Sequence, residues 1–349
     1  MLEPIAVPLD RSPAGAPWIA AWRRMSEAAA PYLMPEFPLL AARLASEREP
    51  MLFGATDGTA LRAALPLARR GRTLVAMRTD HTPRFDLAGD PVALPAVWKS
   101  ISTAGEWDVL ELQSIPADSP LATALPELAR AGGCRVHLVE THRAPWFEVD
   151  GIEDRLHRRF RGDMRRLERQ LGGVELERIS SFDRGALADL FRLEAAAWKG
   201  AAGTAIACDP KLVRYYTTLA RLFARQRRLT LAFLRAQGKR VAGQLALEDG
   251  ATYYLIKVGY DPEFSRFGPG QILVRETAAD AHRRGLRRYD MMGKDTPWKL
   301  KWTDTARPHA SLTIYAPTAL GQARWFARRV AAPVIRRAWA SLRRSAPRS

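Results

Sequence analysis

The sequence predicts an α/β fold of the α+β kind: two tandem domains, each a mostly antiparallel mixed sheet flanked by helices. Three observations lead there. The chain has 349 residues, too many for one small domain. Hydrophobic residues make up 47% and charged residues 26%, globular values that exclude a disordered chain. The chain also echoes itself: Phe53, Gly58, Leu65 and Leu67 recur 180 positions later as Phe233, Gly238, Leu245 and Leu247. Leu61 and Ala63 then face Val241 and Gly243. Each copy reads as strand, turn, strand, with Asp57-Gly58 and Gln237-Gly238 supplying the turns.

Apolar spacing predicts helices at Pro17–Met25 and Phe37–Ser46, then the first hairpin, a strand at Arg72–Met77 and an irregular stretch at Arg78–Pro91. A helix at Leu94–Ser102, a strand at Val109–Leu112, a helix at Leu121–Ala131 and a strand at Val136–Glu140 complete the first half. In the second, Leu156, Phe160, Met164, Leu167 and Leu171 step by 4, 4, 3 and 4, one face of a helix whose remaining positions hold seven arginines. Helices at Arg184–Trp198 and Pro210–Gln226 lead to the second hairpin. A strand at Thr252–Tyr260, a Gly/Pro loop, a helix at Gln271–Arg284 and strands at Arg288–Met292 and Ala310–Tyr315 close it. Arg288–Met292 itself echoes Glu106–Leu110. These patterns place one domain at 1–150, a second at 151–318 and a basic amphipathic tail at 319–349.

Charge is the most informative bulk property. The chain carries 54 Lys+Arg against 37 Asp+Glu, a net +17, which favours an anionic partner. No acidic residue follows Asp304, whereas nine arginines do. Apolar runs are too short for a membrane-spanning helix, and the opening residues lack a secretory pattern, so a cytoplasmic protein is expected. Cys134 and Cys208 cannot form a disulfide framework, and the six histidines have no zinc spacing.

Chemistry concentrates in Tyr260–Leu273. A strand runs into glycines and prolines and a helix starts at once; the amides from Gly270 to Leu273 are placed to attract an anion, and Pro269 pre-sets the turn. An ordinary Gly-Pro turn before a surface helix is the plainer alternative.

The order of parts around this loop resembles the GNAT N-acyltransferase fold, and more closely the CelD/FemAB-like branch, whose members carry two GNAT-like halves. The resemblance rests on Ser265–Leu273, Tyr289–Asp295 and Trp298–Trp302, covers roughly 150–315, and extends to the first half by architecture and His81–Asp86. It implies acyl-CoA as co-substrate, without a metal, and transfer of the acyl group to a primary amine. Arg266, Gly268, Gly270, Gln271, Ile272 and Leu273 would then hold the CoA pyrophosphate. The usual Arg or Gln that opens such a loop is missing: Phe267 or Ser265 occupies its place, depending on register.

For catalysis the resemblance points to Asp290 as base, to Lys257 and Lys299 as stabilisers of negative charge, and to Tyr254 or Tyr260 as the acid that protonates the thiolate. Tyr254 and Tyr260 are expected on one strand face. A salt bridge or strand-end cap is the structural alternative for Asp290. His81, Arg84 and Asp86 are expected to reach across the cleft between halves to the acceptor, joined there by Trp198, Lys199 and Trp298.

Ala319–Leu342 mixes Trp325, Phe326, Val330, Val334, Ile335, Trp339 and Leu342 with paired arginines, the composition of a helix in an anionic membrane interface bent at Pro333. A lipid or sugar amine of the cell envelope is then a suitable acceptor. Two rivals remain. A FemAB-like enzyme could take aminoacyl-tRNA as donor, its basic helix touching tRNA. A nucleic-acid-binding protein without catalysis would also explain the arginines, although no nucleic-acid-binding motif is present.

Overall fold

The computed structural model describes residues 2–9, 15–47, 49–196, 203 and 205–331. Its first half supplies β1 (Glu3–Pro8), β2 (Glu49–Thr56), β3 (Leu61–Arg70), β4 (Thr73–Ala76), β5 (Ala88–Gly89), β6 (Val109–Pro116) and β7 (Arg135–Glu148). The second supplies β8 (Glu175–Ile179), β9 (Leu229–Ala236), β10 (Lys239–Glu248), β11 (Thr252–Tyr260), β12 (Arg288–Asp290) and β13 (Ala306–Tyr315). Among the described residues these form one sheet in the order β1-β2-β3-β4-β6-β13-β7-β12-β11-β10-β9-β8, with β5 added beside β3.

The two halves repeat the same pairing. β1 and β8 run antiparallel to the first strand of each hairpin, β4 and β11 antiparallel to the second, and β6 and β12 lie parallel to β4 and β11. At the centre the halves exchange strands. β13 pairs with β6, β7 pairs with β12, and β7 and β13 pair with each other. Each half thus completes the other's sheet with its last strand, and β7 runs fourteen residues to do so.

The internal echo is one residue out of step with the structure. In the first hairpin Thr56 faces Leu61, Arg62 bulges, and Ala63 faces Ala55. In the second Arg235 faces Arg240, Val241 bulges, and Ala242 faces Leu234. Equivalent positions differ by 179 in these pairings, and a one-residue slip turns a side chain to the other face. Phe53 therefore shares a core with Val97, Trp98 and Ile101 of the helix Leu94–Thr103. Phe233 instead packs with Leu187, Leu190 and Tyr216 of the helices Arg184–Ala195 and Pro210–Arg225. The counterpart of Leu94–Thr103 is Pro269–Arg283, whose Ile272 and Leu273 pack against Ala232 and Leu234.

β1 and β8 escape the hydrophobic pattern. They hold Pro4 and Pro8, or Glu175, Glu177 and Arg178, as suits strands at the two ends of the sheet. The described part of the tail, the helix Ala319–Phe326 and the turn after it, docks on the first half. Arg324 reaches Thr73 at 3.3 Å, Arg328 reaches Glu111 at 2.6 Å, and Arg135 stacks on Trp325 at 4.0 Å. The expected bend at Pro333 lies outside the described residues.

Candidate functional site

β11 and β12 pair for only three residues, ending at Tyr254 opposite Asp290, although β11 continues to Tyr260. β12 ends at Asp290, and on that side β11 runs on without a strand partner among the described residues. On its other side β11 carries a bulge: Leu245 faces Lys257 and Ala246 faces Leu255, so Ile256 is extra. Such a bulge re-aims the remainder of its strand. Beside the far end of β11 lies a cleft of ≈ 390 Å³ lined by Leu193, Glu194, Val258, Gly259, Tyr260, Ser265, Gly268, Pro269, Gly270, Gln271 and Trp298. Gly259 is needed for its shape, since a Cβ there would lie 2.5 Å from the Glu194 backbone.

Gly268, Gly270, Gln271 and Trp298, all expected at the site, do meet here. The cradle differs from expectation. Pro262–Phe267 is a 3-10 helix, and Gly268, at φ 60°, turns the chain into Pro269–Arg283. The amides of Gln271 and Ile272 both donate to the Gly268 carbonyl, at 2.9 and 3.2 Å, so they are not aimed at an anion. The side chains of Ile272 and Leu273 are fully buried in the core and take no ligand. Arg266 is exposed and lies over Phe267 at 4.6 Å, outside the residues lining the cleft. Gln271 acts as a clamp: its Oε1 accepts the Trp302 indole proton and its Nε2 donates to the Trp298 carbonyl at 3.4 Å.

Asp290 is not free to serve as the expected base. Its Oδ2 accepts from Arg84 at 2.9 Å and its Oδ1 from the Met292 amide at 2.9 Å, with both charged side chains almost fully buried. Arg84 also donates to His309 Nε2 at 3.2 Å and to the Tyr32 hydroxyl at 3.3 Å. A buried carboxylate in two such bonds holds its partner rather than taking protons. The salt-bridge alternative is what the geometry shows.

The bulge also separates the two tyrosines expected on one face. Tyr254 turns to Tyr32, and its hydroxyl donates to Asp249 at 2.6 Å, which takes it from the cleft; burial pushes its pKa upward. Tyr260 lines the cleft instead. Lys299 donates to the carbonyls of Met292 and Lys294, so it braces the loop after β12; burial lowers its pKa to about 8.

His81 does cross between halves. Its Nδ1 is 2.9 Å from the Tyr216 hydroxyl, and Lys257 lies over the Tyr216 ring at 5.3 Å. Burial, helped by the Lys257 charge, lowers the His81 pKa to about 4, so the ring is neutral at pH 7. Asp86 stays in the first half, bonded to the Leu87 amide and Ser119. Trp198 and Lys199 lie outside the described residues. One residue of the cleft carries no mark in the sequence. Glu194 is the one carboxylate among the cleft-lining residues, is 3% exposed, and accepts from the Ile206 amide at 2.9 Å. Its place near the end of a helix before a Gly/Ala-rich stretch gives no signal.

Residues 154–300 match the model of the acetyltransferase (GNAT) domain. That stretch of the chain is thus similar to a GNAT acetyltransferase domain. No curated protein matches it significantly in sequence. Solved structures share the fold across both halves. FemX aligns at TM-score 0.58 and 12% identity over 84% of this chain and 92% of its own. The C-terminal DUF2156 domain of an Agrobacterium fabrum protein described as a lysylphosphatidylglycerol synthetase gives 0.57 and 13% over 88% and 94%. L-PGS from Bacillus licheniformis gives 0.55 and 14% over 89% and 93%. This chain therefore shares the two-half fold of those structures, and the end of β12 and the residues lining the cleft lie within the matched stretch. Among the described residues no group of His, Cys, Asp and Glu is arranged to hold a metal ion, and no helix is long and apolar enough to cross a membrane.

Proposed function

We propose that this GNAT-like transferase moves an acyl group from acyl-CoA to a primary amine of an envelope sugar, lipid or related precursor. The observation that carries the reading is the run of β11 past the end of β12, from Tyr254 to Tyr260, beside a cleft headed by Gly268-Pro269-Gly270. Strand amides past the last paired residue can donate to a thioester oxygen, and the cleft admits a slender pantetheine chain.

In the reaction the amine nitrogen attacks the thioester carbon, the oxyanion is held by β11 backbone N–H groups, and the C–S bond breaks. Glu194 takes the proton lost by the amine, and the Tyr260 hydroxyl supplies one to the departing thiolate. Lys257 and neutral His81, on the helix Pro210–Arg225 side, face the acceptor. Arg84 and Asp290 fix the two halves in register around them. Trp298 walls the donor side, held by Gln271.

Incubation with acetyl-CoA or palmitoyl-CoA and a panel of amines, read as free thiol, tests this. Glu194→Gln should lower turnover about 10²-fold or more. Equal turnover in that variant would remove Glu194 from the mechanism; no thiol release with any acyl-CoA would count against the donor.

A second reading replaces acyl-CoA by aminoacyl-tRNA. Two features favour it. The helix start has few free amides for a pyrophosphate, and Leu167 of the arginine-rich helix Arg158–Gln170 lies near Gly268. Arg158, Arg159 and Arg169 of that helix have no acidic partner among the described residues. Competition of aminoacyl-tRNA and acyl-CoA for the protein separates the two donors. A cytoplasmic place, peripheral on an anionic membrane face, accords with an envelope acceptor.

A further inference from the structure

A second cavity lies where the two halves meet on the helix side of the sheet. It measures ≈ 450 Å³ and is lined by Leu40, Arg43 and Leu44 of the helix Glu36–Leu44 and by Pro210, Lys211, Arg214, Tyr215 and Thr218 of the helix Pro210–Arg225. Its lining holds three cations and no acid. Arg43, Lys211 and Arg214 are exposed, and none has an ion-pair partner among the described residues. Other arginines are paired, Arg240 with Glu177 and Asp189 and Arg284 with Glu248 and Asp280, whereas Arg158, Arg159 and Arg169 have no ion-pair partner among the described residues. The nearby Asp209 carboxylate is engaged, capping the helix by accepting from the Lys211 amide at 2.8 Å.

Two further features give this groove a direction. Tyr215 is buried in its wall, with its hydroxyl near Thr82 of the first half. Tyr215 also touches the acceptor side of the proposed reaction: its ring centroid lies 5.0 Å from that of Tyr216 and 6.4 Å from that of His81. In the other direction the groove shares Leu40, Arg43 and Thr218 with a trough of ≈ 510 Å³ whose walls include Ile19, Leu39 and Leu222.

We propose that Arg43, Lys211 and Arg214 form a binding site for a phosphate group of the acceptor, holding it so that its amine reaches His81 and Lys257. This rests on the N-acyltransferase reading, because that reading makes the His81 side the acceptor side. Three unpaired cations in a concave site between halves suit a phosphate monoester or diester, whose charge and acceptor oxygens can use all three. The phosphate can belong to a soluble ester or to the headgroup of an amphiphile, and the trough beyond Leu40 is where the hydrocarbon of the second kind would lie.

The test is equilibrium binding at constant ionic strength of two probes, sn-glycerol 3-phosphate and dihexanoyl phosphatidic acid below its micelle concentration. Wild-type protein is compared with Arg43→Glu/Arg214→Glu, whose exposed positions leave the core untouched, and with Gly270→Glu. Saturable binding that weakens at least tenfold in the double variant and persists in Gly270→Glu is expected. Equal affinity for both probes assigns a soluble phosphate ester; tenfold tighter amphiphile binding, lost in Leu222→Asp, assigns a lipid headgroup. Binding of neither probe, or unchanged binding in the double variant, overturns the site. Acyl-CoA binding measured on the same samples separates that outcome from failure of the acyltransferase reading, since acyl-CoA would still bind wild type and the double variant.

Discussion

Arg84 and Asp290, 206 positions apart in the chain, meet in a buried ion pair at 2.9 Å. Arg84 comes from the loop before β5 and Asp290 from the end of β12, paired there with Tyr254 of β11. The pair thus ties the first half to the edge of the cleft. Removing one partner strands the other charge without water. Arg84→Met should cost about 3–5 kcal/mol. Adding Asp290→Leu should recover part of that loss. Urea denaturation of the two single variants and the double gives the coupling directly; additive losses would show that the pair is not the tie between halves.

Gly259 makes a second sharp prediction. Gly259→Ala places a methyl 2.5 Å from the Glu194 backbone, so the helix must move and the cleft with it. A loss of about 1–3 kcal/mol and weaker donor binding should result. Gly270→Ala meets only an ordinary 3.7 Å contact with Tyr260 and should stay close to wild type. Thermal denaturation and donor titration of both variants check the contrast.

Gln271→Leu removes the clamp on Trp298 and Trp302. About 1 kcal/mol of stability per lost hydrogen bond is expected. The donor constant should worsen more than turnover does, because Trp298 walls the cleft without touching the amine. Steady-state kinetics that show the reverse split would put Gln271 at the reacting atoms.

Acid should destabilise the fold in a defined window. His309 is buried beside Arg84, and burial chiefly, then that cation, lowers its pKa to about 4; His81 also sits at about 4. An unfolded histidine keeps its proton up to about pH 6.5. Between pH 6.5 and 4 the unfolded chain therefore binds more protons than the folded one, and stability falls as the pH drops through that range. Above pH 7 the contribution is complete. His309→Gln should flatten this slope by up to about 3 kcal/mol. Denaturation at a series of pH values reads it; an unchanged slope would mean that His309 does not carry it.

Much of the fold is legible because local signals and tertiary role agree. Thr252–Tyr260 is a strand over its expected length, and Arg184, Pro210 and Leu94 open helices as their spacing predicts. The strand exchange is not legible: Val136–Glu140 reads as an ordinary short strand, and only the partner strands explain why it runs on to Glu148. The edge strands hide because Pro4, Pro8, Glu175 and Glu177 break the apolar alternation. The bulge at Ile256 leaves no mark in the sequence, yet it alone decides that Tyr260 and not Tyr254 lines the cleft. Residue types point to the site's members more accurately than to their tasks. Arg84 and Asp290 both stand out in the sequence, but for separate work; their partnership is a long-range contact that residue types cannot reveal.

The proposed function places an acyl-CoA in the cleft beside the far end of β11. Calorimetric titration of the protein with acetyl-CoA, palmitoyl-CoA and free CoA, repeated on Gly270→Glu, tests it most directly. Saturable binding of at least one thioester is predicted, lost when a carboxylate occupies the mouth of the cleft beside Tyr260. Thioester binding that survives Gly270→Glu unchanged, or its absence with every acyl length, would contradict the claim.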